Sequence, residues 1–410
     1  MHPDRHITDV PINPQMDIPT MVDAVVIGCG ITGVASAYEM ARSGLSVLVV
    51  DRFGPAAMAS GWTLGGVRQS GRDPAELPLA RMAVGIWETL SEELEAPTGY
   101  RQDGNLRLGM SETDMVDIRA MVADQKAHGL DLCVLEGGAA VQAIAPAISA
   151  EVAGASYCPT DGHADPVATV NAYIAAARRL NVTFAFGESV TEILSDNNRV
   201  SGVRTDRRTI AASHVIMATG IFGNDLLQPY GVRVPIESKV VTVVRSAPVA
   251  PLLKQVISVA SALRTDAACA GRQQIDGSFR FTSGIEDWNG QMRTTPNPTV
   301  LPTAQALAGT IQSFAEVVPA INTIEIETFW CGLIDHTPDA LPVMDRVDAL
   351  PGLVVARGYS GHGFCLGPVS GRLICALVRG DEPACDLSAF RMNRFASHED
   401  MAFERVTLNG

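Results

Sequence analysis

Three glycines with the spacing G-x-G-x-x-G, Gly28, Gly30 and Gly33, follow an apolar run from Ala24 to Ile27 and open a helix-like segment from Val34 to Arg42. A second apolar run, Val47 to Val50, then ends at Asp51. Together these form a complete βαβ nucleotide-binding unit. Gly28 permits the tight turn off the strand, Gly30 lets backbone approach a pyrophosphate, and Gly33 lets helix and strand pack closely. Thr32 and its neighbours present backbone N–H groups at the positive end of the helix dipole. Asp51 can accept both hydroxyls of an adenosine ribose, and its charge repels a 2′-phosphate, which argues against NADP. The bland alternative is a glycine-rich turn in an unrelated α/β protein.

The elements around this unit follow from periodicity. Arg52 to Gly71 is dense in small residues and reads as a loop held against a ligand. Helical spacing returns from Glu76 to Leu94 and over 112–128, and a further helix begins at Asp165-Pro166 and runs through Arg179. Thr183 to Phe186 reads as a strand. Val190–Leu194, Val200–Thr205 and Thr209–Ala211 read as a small meander, and 214–220 as a separate buried strand ending at Gly220. Short β runs at 239–245, 256–260 and 279–282 surround a turn at Asp276-Gly277, with one helix near 303–317. A strand at Leu353–Ala356 and a helix through Val378 close the chain.

The 410 residues suffice for two domains, and 47% hydrophobic and 19% charged residues describe an ordinary globular α/β protein. A net charge of −14 argues against nucleic acid or an anionic membrane as partner. The eight cysteines show no metal-ligand spacing, so no metal site is expected, and they read as mostly buried thiols of a reducing compartment. The first twenty residues lack the apolar core of a signal peptide, and no apolar run reaches the roughly 18 residues of a spanning helix. The expectation is a cytoplasmic protein with a small-molecule substrate.

Several segments together resemble the family of FAD-dependent amino-acid and amine oxidoreductases that includes D-amino acid oxidase, glycine oxidase, sarcosine oxidase and D-amino acid dehydrogenase. They are V-V-I-G-C-G-I-T-G with Asp51-Arg52, A-S-G-W-T-L-G-G-V-R-Q, A-T-G-I-F-G-N-D-L at 218–226, W-C-G-L-I-D-H-T-P-D-A-L-P-V-M-D at 330–345 and G-Y-S-G-H-G-F-C-L-G-P-V-S-G-R-L at 358–373. They span nearly the whole chain in order. G-G-V-R-Q-S-G-R followed by D-P-A-E-L looks most like catalytic subunits of opine, hydroxyproline or sarcosine dehydrogenases and oxidases.

The resemblance implies an α/β fold in which a discontinuous, Rossmann-like FAD-binding domain is joined to a substrate domain rich in antiparallel sheet. Residues 21–95, 151–230 and 329–410 would build the first, with a C-terminal helix and tail, and 96–150 and 231–328 the second, after an N-terminal extension of 1–20. It further implies FAD held non-covalently. Gly28, Gly30, Ile31, Thr32 and Gly33 would hold the pyrophosphate, Asp51 and Arg52 the ribose end, Ser60 the phosphate region and Val190 the adenine side. Gly65, Gly66, Val67 and Arg68 would line the isoalloxazine, and Ala218, Thr219, Gly220, Gly332, Gly361, His362, Gly363 and Phe364 would complete the site. The helix after Gly367 would aim its N-terminus at flavin O2. Cys331 lies near where sarcosine oxidases attach flavin covalently, but one residue out of register. Where related subunits often carry an arginine two positions before Trp330, this chain has Thr328, and Trp62 replaces a commonly smaller residue; both leave the substrate's size and charge open.

In such enzymes hydride passes from substrate carbon to flavin N5, and the resulting imine hydrolyses, so no nucleophile is required. A carboxylate substrate calls for a guanidinium. Arg68 is the leading candidate at the flavin and Arg272 at the substrate, with Arg72 and Arg280 behind them; the alternatives are structural pairing or an edge-strand surface charge. His362 reads as a hydrogen-bond donor or weak base, or else a loop-fixing residue, and Tyr359 as a lid or hydroxyl donor, or else packing. His336 and His163 read as structural. The function expected is oxidation of the C–N bond of an amino acid or N-substituted amino acid, by a homo-oligomer or a subunit of a hetero-oligomer. The alternatives are a flavin-bearing subunit with a structural or electron-transfer role, and an NAD-dependent dehydrogenase.

Overall fold

The computed structural model describes residues 18–260, 269–295 and 297–395. The N-terminal extension up to residue 17 and the tail from 396 lie outside them. The chain opens with the expected unit: β1 (Met21–Ile27), α1 (Ile31–Arg42) and β2 (Val47–Asp51). The small-residue segment that follows is mostly loop, as its composition requires. Within it, however, one helical turn, α2 (Ala59–Trp62), and a two-residue strand, β3 (Gly66–Val67), are formed.

Next come α3 (Leu77–Glu93), β4 (Asn105–Gly109), α4 (Glu112–Ala127), β5 (Cys133–Glu136), α5 (Gly138–Ile144), β6 (Gly154–Cys158) and β7 (Gly162–His163). Ser111 and Asp114 form a capping box that starts α4. Asp165 caps α6 (Pro166–Arg179) with Pro166 in its first turn, as the sequence indicates. Then β8 (Thr183–Phe186), β9 (Val190–Asp196), β10 (Arg199–Thr205) and β11 (Thr209–Met217) precede the short α7 (Asn224–Leu227). The two runs separated in the sequence reading at 209–211 and 214–220 are one strand, β11. Its first residues pair with β10 and its last with both β1 and β18 (Leu353–Arg357), so no turn is needed between them.

The remaining elements are β12 (Glu237–Ser246), β13 (Val256–Val259), β14 (Cys269–Gln273), β15 (Phe279–Asp287), α8 (Ala304–Val317), β16 (Ile326–His336), β17 (Val343–Arg346) and, after β18, α9 (Gly363–Arg379). One eight-stranded sheet runs β17-β18-β11-β1-β2-β8, with β10 and β9 continuing antiparallel from β11. The pairs between β18 and β8 are parallel, and helices α1 and α9 pack together on this sheet so tightly that a Cβ on Gly371 would lie 2.7 Å from the Ala35 carbonyl carbon. The second eight-stranded sheet runs β16-β12-β15-β14-β13-β4-β6-β5, antiparallel except for β13 beside β4. Strand β16 therefore crosses the break drawn at 328/329, and β6 joins the second sheet rather than the first.

Candidate active site

The parallel strands β1, β2 and β11 end side by side, and their carboxyl ends open into a cleft of about 1020 Å³ lined by Ile27, Asp51, Arg52, Val190, Thr219 and Gly220 among others. A crevice at the carboxyl ends of such strands is where this architecture binds nucleotides. The turn after β1 admits only glycine. Gly28 has φ +109°, and a Cβ on it would stand 2.3 Å from the Ala218 carbonyl; one on Gly33 would stand 2.0 Å from the Gly28 carbonyl. The N-cap of α1 is Gly30, which has no side chain to cap the helix. Ser60 Oγ accepts the Ile31 N–H at 2.9 Å, and Ile31 and Thr32 line the cavity that continues from this cleft. Asp51 accepts from the backbone N–H groups of Cys29, Phe53 and Gly54 at 2.8 Å each. Burial raises its pKa against those three bonds.

A larger cavity, about 1430 Å³ including its open mouth, continues from the first past Gly30, Ser60, Ala218 and Gly220 to the second sheet. The wall from the second sheet is mostly apolar, with Val241 and Val243 of β12, Ile257 of β13, Ala270 of β14, and Leu333 and Ile334 of β16, and it also carries the neutral polar groups of Asn105, Ser258 and Thr282. The lining also includes two arginines, Arg68 and Arg72, and the imidazole of His362. Behind them Glu76 is fully buried. It bonds His362 Nδ1 at 2.9 Å and pairs with Arg72 Nη1 at 3.3 Å. Burial would raise the Glu76 carboxyl, but His362 and Arg72 outweigh it and hold it at about 2. Burial and the neighbouring Arg72 push His362 down to about 4, so its imidazole is neutral at neutral pH. Arg68 is also pulled down, first by burial and then by Arg72 and Arg107.

Most sequence-marked residues meet at these two cavities. Ile31, Thr32, Gly66, Gly332, Gly361, Gly363, Phe364 and Tyr359 line the larger one. The Tyr359 phenol, raised by burial, lies near Ser370 and Thr32 between the starts of α1 and α9. Gly33, Gly65 and Val67 line neither. Gly33 packs under the turn, and the alternation of β3 sends Gly66 and Arg68 to the cavity while Val67 enters the core. Helix α9 starts at Gly363 rather than after Gly367 and runs through Pro368.

Arg272 is the main correction. It lines neither cavity, and it is buried rather than an edge-strand surface charge. Its guanidinium donates to the Leu64 carbonyl, to Ala164 O at 3.0 Å and to His163 Nδ1 at 2.8 Å. Burial and Arg280 lower it to about 9. It ties the second sheet to the loop that carries the site. Arg280, likewise, donates to Gly61 O at 2.7 Å and stacks over Trp330. His163, buried, holds Arg272 through its Nδ1. Cys331 lines neither cavity, and burial raises its thiol to about 11.

Glu76 was not singled out in the sequence, although its place four residues after Arg72 puts the two charges within reach of each other. Asp161 was also missed. It accepts from Gln69 N at 2.8 Å and from the Ser70 hydroxyl, and so fixes the backbone beside Arg68 from a distance in sequence that no local pattern shows. Asp335, which borders both cavities, accepts from Gly358 N at 2.8 Å.

The fit of a dinucleotide to the glycine turn, the start of α1 and Asp51 agrees with what similarity shows. The family model described as FAD dependent oxidoreductase matches residues 23–377. The chain belongs to this FAD-dependent oxidoreductase family. A D-amino acid dehydrogenase of Rhizorhabdus wittichii is 26% identical over 90% of this chain and 99% of its own length. Sarcosine oxidase subunit beta of Rhizobium meliloti is 24% identical over 93% of this chain and 90% of its own. The crystal structure of L-proline dehydrogenase from P. horikoshii superposes with a TM-score of 0.84 at 25% identity, covering 93% of this chain and all of that one. This FAD-dependent oxidoreductase is thus of the amino-acid or amine type, and the NAD-dependent alternative falls away. Among the described residues no helix is long and apolar enough to cross a membrane, and no cluster of side chains suits a metal ion.

Proposed function

We propose that this chain oxidises the C–N bond of an amino acid or N-substituted amino acid bearing one carboxylate and an apolar substituent, with FAD held non-covalently. The observation that carries this reading is the make-up of the larger cavity: two guanidinium groups from the loop after β3, and mostly aliphatic side chains, with the neutral Asn105, Ser258 and Thr282, from the second sheet. FAD, when bound, supplies the two-electron acceptor. Arg68 and Arg72 lie where a carboxylate can be paired in a dry site, and among the described residues no other arginine lines that cavity. Val241, Val243, Ile257, Leu333 and Ile334 would take the substituent and exclude water from the C–H being broken. Opines, with a second carboxylate, would have to bury that charge against this wall, which is costly without a partner.

Arg68→Met tests this directly. Loss of the guanidinium should raise KM for an apolar amino acid such as L-proline, D-valine or N-methyl-leucine by about a hundredfold, the worth of a charged hydrogen bond. An unchanged KM, or an opine turned over faster than every apolar amino acid tried, would defeat the reading.

A further inference from the structure

Helix α3 is preceded by a loop whose Arg72 and Glu76 are both buried, beneath the loop that bears His362. Glu76 is wholly enclosed, and its carboxylate faces two groups only in the hydrogen bonds described: Arg72 Nη1 at 3.3 Å, and His362 Nδ1 at 2.9 Å from one oxygen and 3.1 Å from the other. An ionised carboxylate only accepts, and an arginine only donates. The proton between Glu76 and His362 therefore sits on Nδ1. His362 is 8% exposed and lines the larger cavity; its Nε2 is buried with no hydrogen-bond partner. A buried ring nitrogen without a partner is costly unless a ligand completes it.

The geometry points to Glu76 as a positioning residue that, by accepting the Nδ1–H of His362, presents the Nε2 lone pair to the cavity as hydrogen-bond acceptor for an N–H of the amine to be oxidised. This rests on the amine-oxidation reading above. The charged groups facing His362 are Glu76, Arg72 and Arg68, and their balance with burial keeps the imidazole neutral, so the acceptor persists through the neutral range. An acceptor on the amine N–H would fix the nitrogen's rotation so that its lone pair can lie antiperiplanar to the C–H bond that must break, which is orientation rather than proton transfer.

Replacing Glu76 by glutamine makes the inference testable, because glutamine has one oxygen where glutamate has two. Arg72, a pure donor, claims that oxygen at the Oε2 position, and the amide N–H₂ then falls at the Oε1 position, 3.1 Å from Nδ1, where it opposes an Nδ1–H and favours the proton on Nε2. The experiment is two-bond ¹H–¹⁵N correlation of the holoenzyme labelled with ¹⁵N-histidine, the His362 signals being assigned by their loss in His362→Gln. In the wild type Nδ1 should carry the proton and Nε2 should not; in Glu76→Gln the two should exchange. Anaerobic flavin reduction by D-alanine, sarcosine and L-proline should be slowed about tenfold or more in Glu76→Gln, and not further in the double variant with His362→Gln. A wild-type proton on Nε2, or a Glu76→Gln holoenzyme with tautomer and reduction rate unchanged, overturns the inference. So does an Nε2 resonance that already shifts on adding FAD to the apoprotein, which would make the cofactor the donor. The wild-type spectrum needs neither variant nor amine, so it stands if Glu76→Gln fails to fold. It also separates failure of this inference from failure of the amine reading, which would show as wild-type flavin that no amine reduces.

Discussion

At the scale of the residue, the unusual feature is how much ionisable chemistry this fold keeps out of water beside the cavity: Arg72, Glu76 and His362 next to a half-buried Arg68, with Asp161 and Arg107 behind them. Each charge costs solvation, so each must be compensated by a partner or a ligand. His362 gives a stability signature. Its pKa falls from 6.5 to about 4 on folding, so the unfolded chain binds the extra proton first, and the contribution is fully kept above about 6.5 and lost as the pH falls toward 4. Wild type should therefore lose stability relative to His362→Gln by about 1.4 kcal/mol per pH unit below about 6.5, in urea unfolding at a series of pH values. Parallel curves for the two proteins would mean that the imidazole is charged in the folded state.

At the scale of the element, the first sheet and its dinucleotide turn were legible because their determinants are local: Gly28 and Gly33 mark the turn, Asp165-Pro166 marks the start of α6, and alternation marks the meander. Strand β16 was read as the motif around Trp330 and Gly332 without its strand length, since its pairing with β12 depends on residues some ninety positions away in the chain. The role of Arg272 was hidden for the same reason. Its type suggested a carboxylate, whereas its partners, the Leu64 and Ala164 carbonyls and His163, come from loops distant in sequence. Arg272→Met should leave those buried acceptors without donors and cost about 3 kcal/mol or more in urea unfolding. The FAD-loaded fraction should keep its KM for amino acids. A KM raised tenfold in fully folded, FAD-loaded Arg272→Met would return this arginine to the substrate.

At the scale of the whole molecule, two sheets divide the work. The parallel sheet brings three strand ends and a helix terminus to one cleft, and the antiparallel sheet lays an aliphatic wall across its continuation. The cleft, the arginines, the histidine and the wall all belong to one chain. A catalytic unit is therefore proposed rather than a flavin-bearing support, even though a relative such as sarcosine oxidase subunit beta is one subunit of its enzyme. The most direct test is anaerobic titration of the isolated, FAD-reconstituted chain with apolar amino acids and their N-methyl derivatives, followed by the visible absorbance of the flavin. The account predicts full bleaching at one equivalent of substrate, with the imine-derived carbonyl product formed in equal amount. A flavin that dithionite reduces but no amine in the panel bleaches would contradict it.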